Sequence, residues 1–164
     1  MLPTSFQTVE WEEQRPEETI VRATFRMPTY LSKAYNLSLD SPVQYENKAK
    51  SVFLLMRRDA IIRDAAKANP DSTLDAIYRV HMENLLLAMD HGQANPPRDI
   101  TLKGYPAMRG TFPGGYLGDS ICYDLTLIQT EQEMYQILLW TKGDQRLQYL
   151  ADLDTIVLSF NPLK

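Results

Sequence analysis

The chain has 164 residues, of which 44% are hydrophobic and 23% are charged, so it is long and apolar enough to bury the core of one domain. This composition excludes a wholly disordered chain. A formal net charge of -4 and a pI near 5.2 disfavour a nucleic-acid binder, which needs a basic face to neutralise phosphates.

The N-terminal segment is the least patterned part of the chain. We predict an arm over residues 1–18 and a single α+β domain over residues 19–164. Glutamates and prolines surround Trp11 in this arm. Because chain termini are usually poorly ordered, we interpret the arm as extended with Trp11 packed on the domain, rather than as a partner-binding segment.

The domain is predicted to begin with a strand and a hairpin. Residues 19–27 are rich in apolar, β-branched and aromatic side chains and predict a strand that Pro28 stops. Residues 43–46 and 51–57 predict a hairpin, because Asn47-Lys48-Ala49 between them suits a tight turn. The continuous apolar run within the second of these strands is typical of a strand buried on both faces.

Two helices are predicted next. Alanine and charged residues over 59–68 predict a short helix that ends before Asn69-Pro70. A longer helix is predicted from Asp71 or Ser72 to about Asp90. Its apolar stripe has helical spacing and consists of Leu74, Ile77, Tyr78, His81, Met82, Leu85 and Met89.

A glycine-rich stretch follows, between two short predicted strands at 100–103 and 107–112 and a long hairpin. Pro113-Gly114-Gly115 predicts a flexible turn. Aromatic residues in loops are enriched at interfaces, so we predict a candidate interaction surface formed by Tyr105, Phe112 and Tyr116.

Residues 120–129 alternate with a period of two, which predicts a strand with two different faces. Tyr123 and its apolar neighbours share one face. Cys122, Asp124 and Thr126 share the other, which we interpret as a solvated outer face. Residues 135–140 continue the alternation and predict the second strand of the hairpin.

The last predicted element is a helix over residues 144–160. Its apolar stripe consists of Leu147, Leu150, Leu153, Val157 and Phe160. The order of elements is therefore strands, helix, strands, helix. That order favours an α+β fold, an antiparallel β-sheet flanked by helices, over a doubly wound parallel sheet.

Candidate catalytic residues are few. Gly118-Asp119-Ser120 resembles the Gly-Asp-Ser core of an esterase family, but Ser120 opens a strand late in the chain and both histidines precede it. A serine nucleophile needs a base within hydrogen-bond reach. We interpret Gly118-Asp119 as a turn, and the best enzyme candidates are Ser120, Asp124 and His81.

The sequence predicts neither a cofactor nor a metal. His81 and His91 are ten residues apart, which is not the spacing of metal ligands on a helix. Cys122 is the single cysteine and has no basic neighbour, so we predict an inert thiol. The glycine-rich stretch over 110–118 lacks the Gly-Lys-Ser/Thr ending of a phosphate loop.

Short motifs that mark core and turn positions follow one another along the domain. They are Val43-Gln44-Tyr45-Glu46-Asn47, Ser51-Val52-Phe53-Leu54-Leu55-Met56, Ser72-Thr73-Leu74, Gly104-Tyr105-Pro106-Ala107, Tyr123-Asp124-Leu125, Tyr135-Gln136-Ile137 and Ile156-Val157-Leu158-Ser159-Phe160. This order resembles the PsbP-like superfamily, which includes the PsbP subunit of photosystem II, a Ran-binding import factor and bacterial envelope proteins. The resemblance implies an α/β/α sandwich and carries over no metal-binding or Ran-binding residue.

Our leading functional hypothesis is a non-enzymatic binding or accessory protein that engages a protein partner through a β-sheet surface. The alternatives are a small-ligand-binding protein of the cell envelope, with an apolar pocket between sheet and helix, and a hydrolase with Ser120 as nucleophile. No apolar run has the length of a membrane span. An exported protein or lipoprotein expressed without its leader is favoured over a cytoplasmic one, and the oligomeric state is left open.

Overall fold

A computed structural model describes residues 9–17, 20–59, 74–131 and 133–163. In these ranges the elements in chain order are β1 (Trp11–Gln14), β2 (Ala23–Pro28), β3 (Ser32–Lys33), β4 (Val43–Asn47), β5 (Val52–Asp59), α1 (Leu74–Leu87), β6 (Arg98–Leu102), β7 (Tyr105–Tyr116), β8 (Asp119–Gln129), β9 (Met134–Lys142), a 3-10 turn (Gly143–Gln145), α2 (Arg146–Ser159) and β10 (Asn161–Pro162). The helix predicted over 59–68 lies outside the described residues, except for Asp59, which ends β5.

A seven-stranded antiparallel sheet dominates the fold, in the order β3-β4-β5-β9-β8-β7-β6. A small three-stranded sheet has the order β1-β2-β10. The prediction of an α+β fold with antiparallel strands is confirmed. None of the helices in the described ranges is both long enough and apolar enough to cross a membrane.

Hydrophobic cores cover both faces of the large sheet. On one face, alternate residues of β5 and β9, such as Leu54 and Ile137, pack against α2 and β2. On the other face, Leu125 and Leu138 pack against α1. Each fully buried apolar side chain contributes roughly 1.5–3 kcal/mol to folding. The helices therefore lie on opposite faces of the sheet, as in an α/β/α sandwich.

The predicted hairpin of the first half is confirmed as β4 and β5, whose register pairs Val43 with Met56 and Asn47 with Val52. The predicted strand over 19–27 begins only at Ala23 and includes Pro28. Proline is tolerated at this position because it is the terminal residue of the strand.

The flexible turn predicted at Pro113-Gly114-Gly115 is wrong, because these residues lie inside β7 and pair with β8. The glycines serve close packing instead. A Cβ atom on Gly114 would lie 2.6 Å from the Cε of Met89 and 2.9 Å from the Cα of Gly92. Only glycine lets the segment after α1 approach the strand so closely.

The stripe predicted for the last helix is partly wrong. Leu153, Val157 and Phe160 are fully buried, but Leu147 is 86% exposed. The 3-10 turn precedes the α-helix, which begins only at Arg146. In the first turn of the helix Leu147 therefore faces solvent, whereas Arg146 contacts Asp124 of β8.

Part of the N-terminal segment belongs to the small sheet. Residues Trp11 to Gln14 form β1 and pair with β2 from Phe25 to Pro28. Trp11 is partly buried and packs against the core beneath α2. Where the arm ends and the domain begins stays a prediction.

Candidate functional site

A row of aromatic side chains crosses the α1 face of the sheet near the end that α1 leaves uncovered. Antiparallel pairing places Phe53 of β5 opposite Trp140 of β9, and Trp140 opposite Tyr123 of β8. With Ile121 and Tyr116 they form what we call the aromatic surface. All of these side chains except Tyr116 are half-buried, and Tyr116 is 50% exposed.

The rings of the aromatic surface contact one another. The centroids of Phe53 and Trp140 are 5.1 Å apart with an interplanar angle of 13°, which is a stacked arrangement. Tyr123 and Trp140 are 5.6 Å apart and inclined at 53°. Burial raises the pKa of Tyr123, and the neighbouring Tyr116 raises it further. Such contacts hold the rings in place and add about 0.5–1.5 kcal/mol per pair beyond burial.

An open groove of about 300 Å³ lies over this surface, bordered by Phe53, Trp140, Ile121 and Tyr116 and rimmed by Lys142. A pocket or groove of this size is at the lower end of what small-molecule sites occupy. Half-exposed aromatic side chains with this spacing are also the residue types that dominate protein interfaces.

The turn between β7 and β8 lies at the edge of this groove. Leu117 and Gly118 have φ angles of 51° and 86°, which are values of a type I′ turn. Leu117 is 82% exposed. The left-handed conformation costs a side chain such as leucine roughly 1–2 kcal/mol, and asparagine or glycine is favoured there. The chain thus holds an exposed apolar residue in a strained conformation beside the aromatic surface.

The interaction surface predicted from Tyr105, Phe112 and Tyr116 is not brought together. Phe112 is fully buried beneath α1, with its ring 6.2 Å from that of Tyr78, so the prediction of an exposed Phe112 is wrong. Tyr105 begins β7 and packs against the core on the α2 side, whereas Tyr116 ends the same strand. Only Tyr116 lies on the aromatic surface.

Asp124 is not on a solvated outer face, and this prediction is wrong. Its side chain is fully buried and accepts two hydrogen bonds from the Arg109 guanidinium, at 2.9 and 2.8 Å, and one from Arg146 at 3.2 Å. Arg109 also pairs with Asp154 of α2 at 2.8 Å. We call these four residues the charge network.

The charge network connects the sheet to α2 rather than forming a catalytic centre. Asp124 lies on β8, Arg109 on β7, and Arg146 and Asp154 lie about two turns apart on the helix. A carboxylate that two guanidiniums hold is committed to ion pairs and is a poor general base. The alternation of β8 had indicated the correct side of the strand, but α2 covers that side.

The candidate enzyme residues Ser120, Asp124 and His81 lie apart. His81 lies on α1 and lines a pocket with Gln136, whose strand partner on β8 is Leu127. Leu127 and Ser120 are seven residues apart along β8, which is roughly 23 Å at the rise of a strand. Asp124 is on the opposite face of the sheet from α1. A serine hydrolase site is therefore not assembled from these residues.

The remaining polar candidate is Cys122, which is buried. Burial raises the pKa of the Cys122 thiol, which opposes formation of the reactive thiolate. Among the described residues, no three histidine, cysteine, aspartate or glutamate side chains are grouped so as to hold a metal ion.

Comparisons with known proteins rest on structure. No family model and no curated protein matches the sequence. The structure matches CyanoP, the cyanobacterial PsbP of Synechocystis, with a TM-score of 0.65 and 11% identity, covering 99% of this chain and 98% of that one. The chain has the PsbP-like fold.

Other structures with the PsbP-like fold match over similar lengths. The Ran-binding protein Mog1p of Saccharomyces cerevisiae matches with a TM-score of 0.61 and 13% identity, covering 96% of this chain and 97% of that one. LpqN of Mycobacterium tuberculosis, which is involved in cell envelope biogenesis, matches with a TM-score of 0.53 and 11% identity, covering 96% and 88%. At these identities the similarity establishes the PsbP-like fold alone.

Proposed function

We propose that this protein is a non-enzymatic accessory or binding protein that holds a protein partner on the aromatic surface. The observation that carries the proposal is the stack of Phe53 and Trp140, which continues to Tyr123 and is only partly covered on the sheet. Mog1p, which has the same fold, is a Ran-binding protein, so the fold is compatible with binding a protein partner.

Two physical arguments support a protein partner at this surface. Tryptophan and tyrosine are the residues that most often dominate binding energy at interfaces, because they bury large areas with few rotatable bonds. The exposed Leu117 adds apolar area at the edge of the groove, in a conformation that costs folding energy. Strain of this kind tends to occur at functional positions.

The test is capture of partners from the native host by the tagged protein, with identification by mass spectrometry and affinity measured on the purified pair. We expect Trp140→Ala to weaken binding at least about tenfold, which is typical of a central aromatic anchor. Leu117→Asn should also weaken binding, although asparagine suits the turn better.

Lys103→Asn is the matched control for Leu117→Asn. Lys103 and Gly104 form a turn with nearly the same φ angles, 52° and 86°, between β6 and β7. This substitution should leave partner binding unchanged. A partner that binds all three variants as tightly as the original protein would contradict the proposed surface.

The second candidate function is binding of a small apolar ligand, and the groove of about 300 Å³ over the aromatic surface favours it. A ligand that binds only the native state raises the melting temperature. We expect lipids or apolar compounds to raise Tm for the original protein and not for Trp140→Ala. No shift with any such compound would count against this function.

We also propose that the protein is exported to the cell envelope. The support is the shared fold with LpqN, a protein involved in cell envelope biogenesis. Fractionation of the native host with an antibody against the protein tests this, and recovery in the cytosolic fraction would contradict it.

A further inference from the structure

A second concave site lies on the α1 face of the sheet, at the other end of β5 and β9 from the aromatic pair. Its volume is about 230 Å³, and its lining includes Arg57, Gln136, Asn84, Ser38, His81 and two leucines, Leu55 and Leu138. We call it the Arg57 pocket. The register of β5 and β9 explains its composition, since Arg57 pairs with Gln136 and Leu55 with Leu138.

Arg57 is held in a defined orientation. Its Nε–H donates to the side-chain oxygen of Gln136 at 2.6 Å. This bond fixes the plane of the guanidinium and leaves its terminal nitrogens for another acceptor. Arginine has five N–H donors in a planar fork that matches a carboxylate with two parallel hydrogen bonds.

The charge of Arg57 is uncompensated within the described part of the chain. No carboxylate is among the described residues that line the pocket. The neighbouring residue shows the contrast, because Arg58 points to the opposite face of β5 and pairs with Glu133 at 3.1 Å. In the charge network, both Arg109 and Arg146 pair with Asp124.

Neutral hydrogen-bond donors accompany this charge. Asn84 of α1 lines the pocket and carries two N–H donors. The Ser38 oxygen accepts a bond from the backbone N–H of Asp40 at 3.2 Å, so its own hydroxyl proton can be donated. A concave site with one fixed cation, neutral donors and an apolar floor has the properties of an anion-binding pocket.

We propose that the Arg57 pocket binds a carboxylate group, with Arg57 as the charged anchor. The pocket volume fits a group the size of acetate, succinate or one glutamate side chain. The free small molecule and the acidic side chain of a protein partner present the same chemistry. A site with a single guanidinium compensates one negative charge, which favours a carboxylate over the more highly charged phosphate. This site does not depend on the aromatic surface.

The test is a titration of the ¹⁵N-labelled full chain, monitored by NMR at the Arg57 Nε–H and the Asn84 side-chain amide. The probes are sodium acetate, sodium succinate, a glutamate residue blocked at both ends, and inorganic phosphate. Sodium chloride at equal ionic strength is the reference. We expect the three carboxylate probes to cause saturable chemical-shift changes at the pocket. If acetate or succinate binds more tightly than the blocked glutamate, the natural ligand is a free small molecule. The reverse order indicates the acidic side chain of a protein partner.

Two variants test Arg57 as the anchor, and a third is the control. Arg57→Gln removes the charge, and Arg57→Lys keeps the charge but removes the planar fork. Both should weaken carboxylate binding at least about tenfold. Arg79→Gln is the matched control, because Arg79 lies on the exposed face of α1 and pairs with Asp75, 3.1 Å away. It should bind like the original protein.

The proposal is overturned if sodium chloride causes the same chemical-shift changes, or if Arg57→Gln binds the carboxylates as tightly as the original protein. It is also overturned if phosphate binds as tightly as acetate and depends on Arg57 in the same way. Circular dichroism of each variant shows whether the fold is intact. Should Arg57→Gln fail to fold, Arg57→Lys and Asn84→Ala serve in its place, and Asn84→Ala should then weaken binding measurably.

Discussion

The two faces of β8 reverse the usual placement of residues. On the side that α2 covers, the strand buries the charged Asp124, whereas on the side of α1 it leaves the aromatic Tyr123 partly exposed. The buried charge is compensated by Arg109 and Arg146, whereas Tyr123 and Trp140 contact each other and the core beneath α1 and keep part of their area open to solvent. The comparison teaches that a covered face can hold charges where ion pairs compensate them, whereas aromatic side chains on the other face stay only partly covered.

Removing the buried carboxylate should break this comparison most severely. Asp124→Asn leaves two guanidiniums without their shared partner on the covered side of the sheet. Breaking a buried ion pair in this way costs about 3–5 kcal/mol, so we expect a loss of that size in the free energy of unfolding. Urea denaturation monitored by circular dichroism measures it.

Asp75→Asn is the control for that measurement. It removes an ion pair with Arg79 that is exposed on α1, with more than half of each side chain accessible. Exposed pairs contribute roughly 0.2–1 kcal/mol, so the loss should be small. Equal losses for the two substitutions would show that the charge network does not stabilise the fold.

Alkaline titration sharpens the comparison, because it couples the two faces. Burial and, secondarily, the negative charge of Asp124 together raise the pKa of Tyr78 on α1 to about 12. In the unfolded chain tyrosine ionises near pH 10. The native state therefore keeps a proton that the unfolded state releases, so stability is complete below pH 10 and falls as the pH rises towards 12.

Tyr78→Phe isolates this contribution from those of the other tyrosines. The loss of unfolding free energy between pH 10 and pH 12 should be smaller in the variant by about 2 kcal/mol, which is most of the roughly 2.7 kcal/mol that a shift of two pKa units represents. Thermal unfolding at a series of pH values measures the difference. Identical pH dependence of the two proteins would contradict the assignment to Tyr78.

The smallest expected effect concerns the edge of the aromatic surface. Leu117→Asn relieves a left-handed conformation that leucine disfavours, so we expect a gain in unfolding free energy of up to about 1 kcal/mol. Differential scanning calorimetry detects it as a higher Tm. Lys103→Asn, in the equivalent turn, should give a gain of similar sign. A variant that is more stable yet binds its partner less tightly would separate recognition from folding at this residue.

Local patterns predicted much of the fold. The hairpin of β4 and β5 and the alternation along β8 depend on neighbouring residues, and both are confirmed. The placement of Asp124 was wrong because an alternating strand shows that two faces differ, not which face is covered. Here helices cover both faces, so a polar face need not be a solvated one.

The aromatic surface could not be predicted from the sequence for a different reason. Phe53 and Trp140 are far apart in the chain and meet only through the pairing of β5 with β9. No local pattern encodes that register. At Gly114 the sequence suggested a turn. The reason for glycine there is its close contact with Met89, and that contact depends on where α1 ends, which no local pattern shows. The single signal available for the site was the aromatic content of the segment that ends at Tyr116.

The small sheet makes the completion of folding depend on residues that are distant in the chain. β2 has β1 on one edge and β10 on the other, and the backbone N–H of Arg26 donates to the Ser159 hydroxyl at 2.8 Å across 133 residues. Ribosomes add about 5–20 residues per second, so β2 waits roughly 7–27 seconds during synthesis before its second edge can be covered. For that time the nascent chain exposes an unpaired strand, which makes this edge the place where a chaperone or a neighbouring chain would first find a partner.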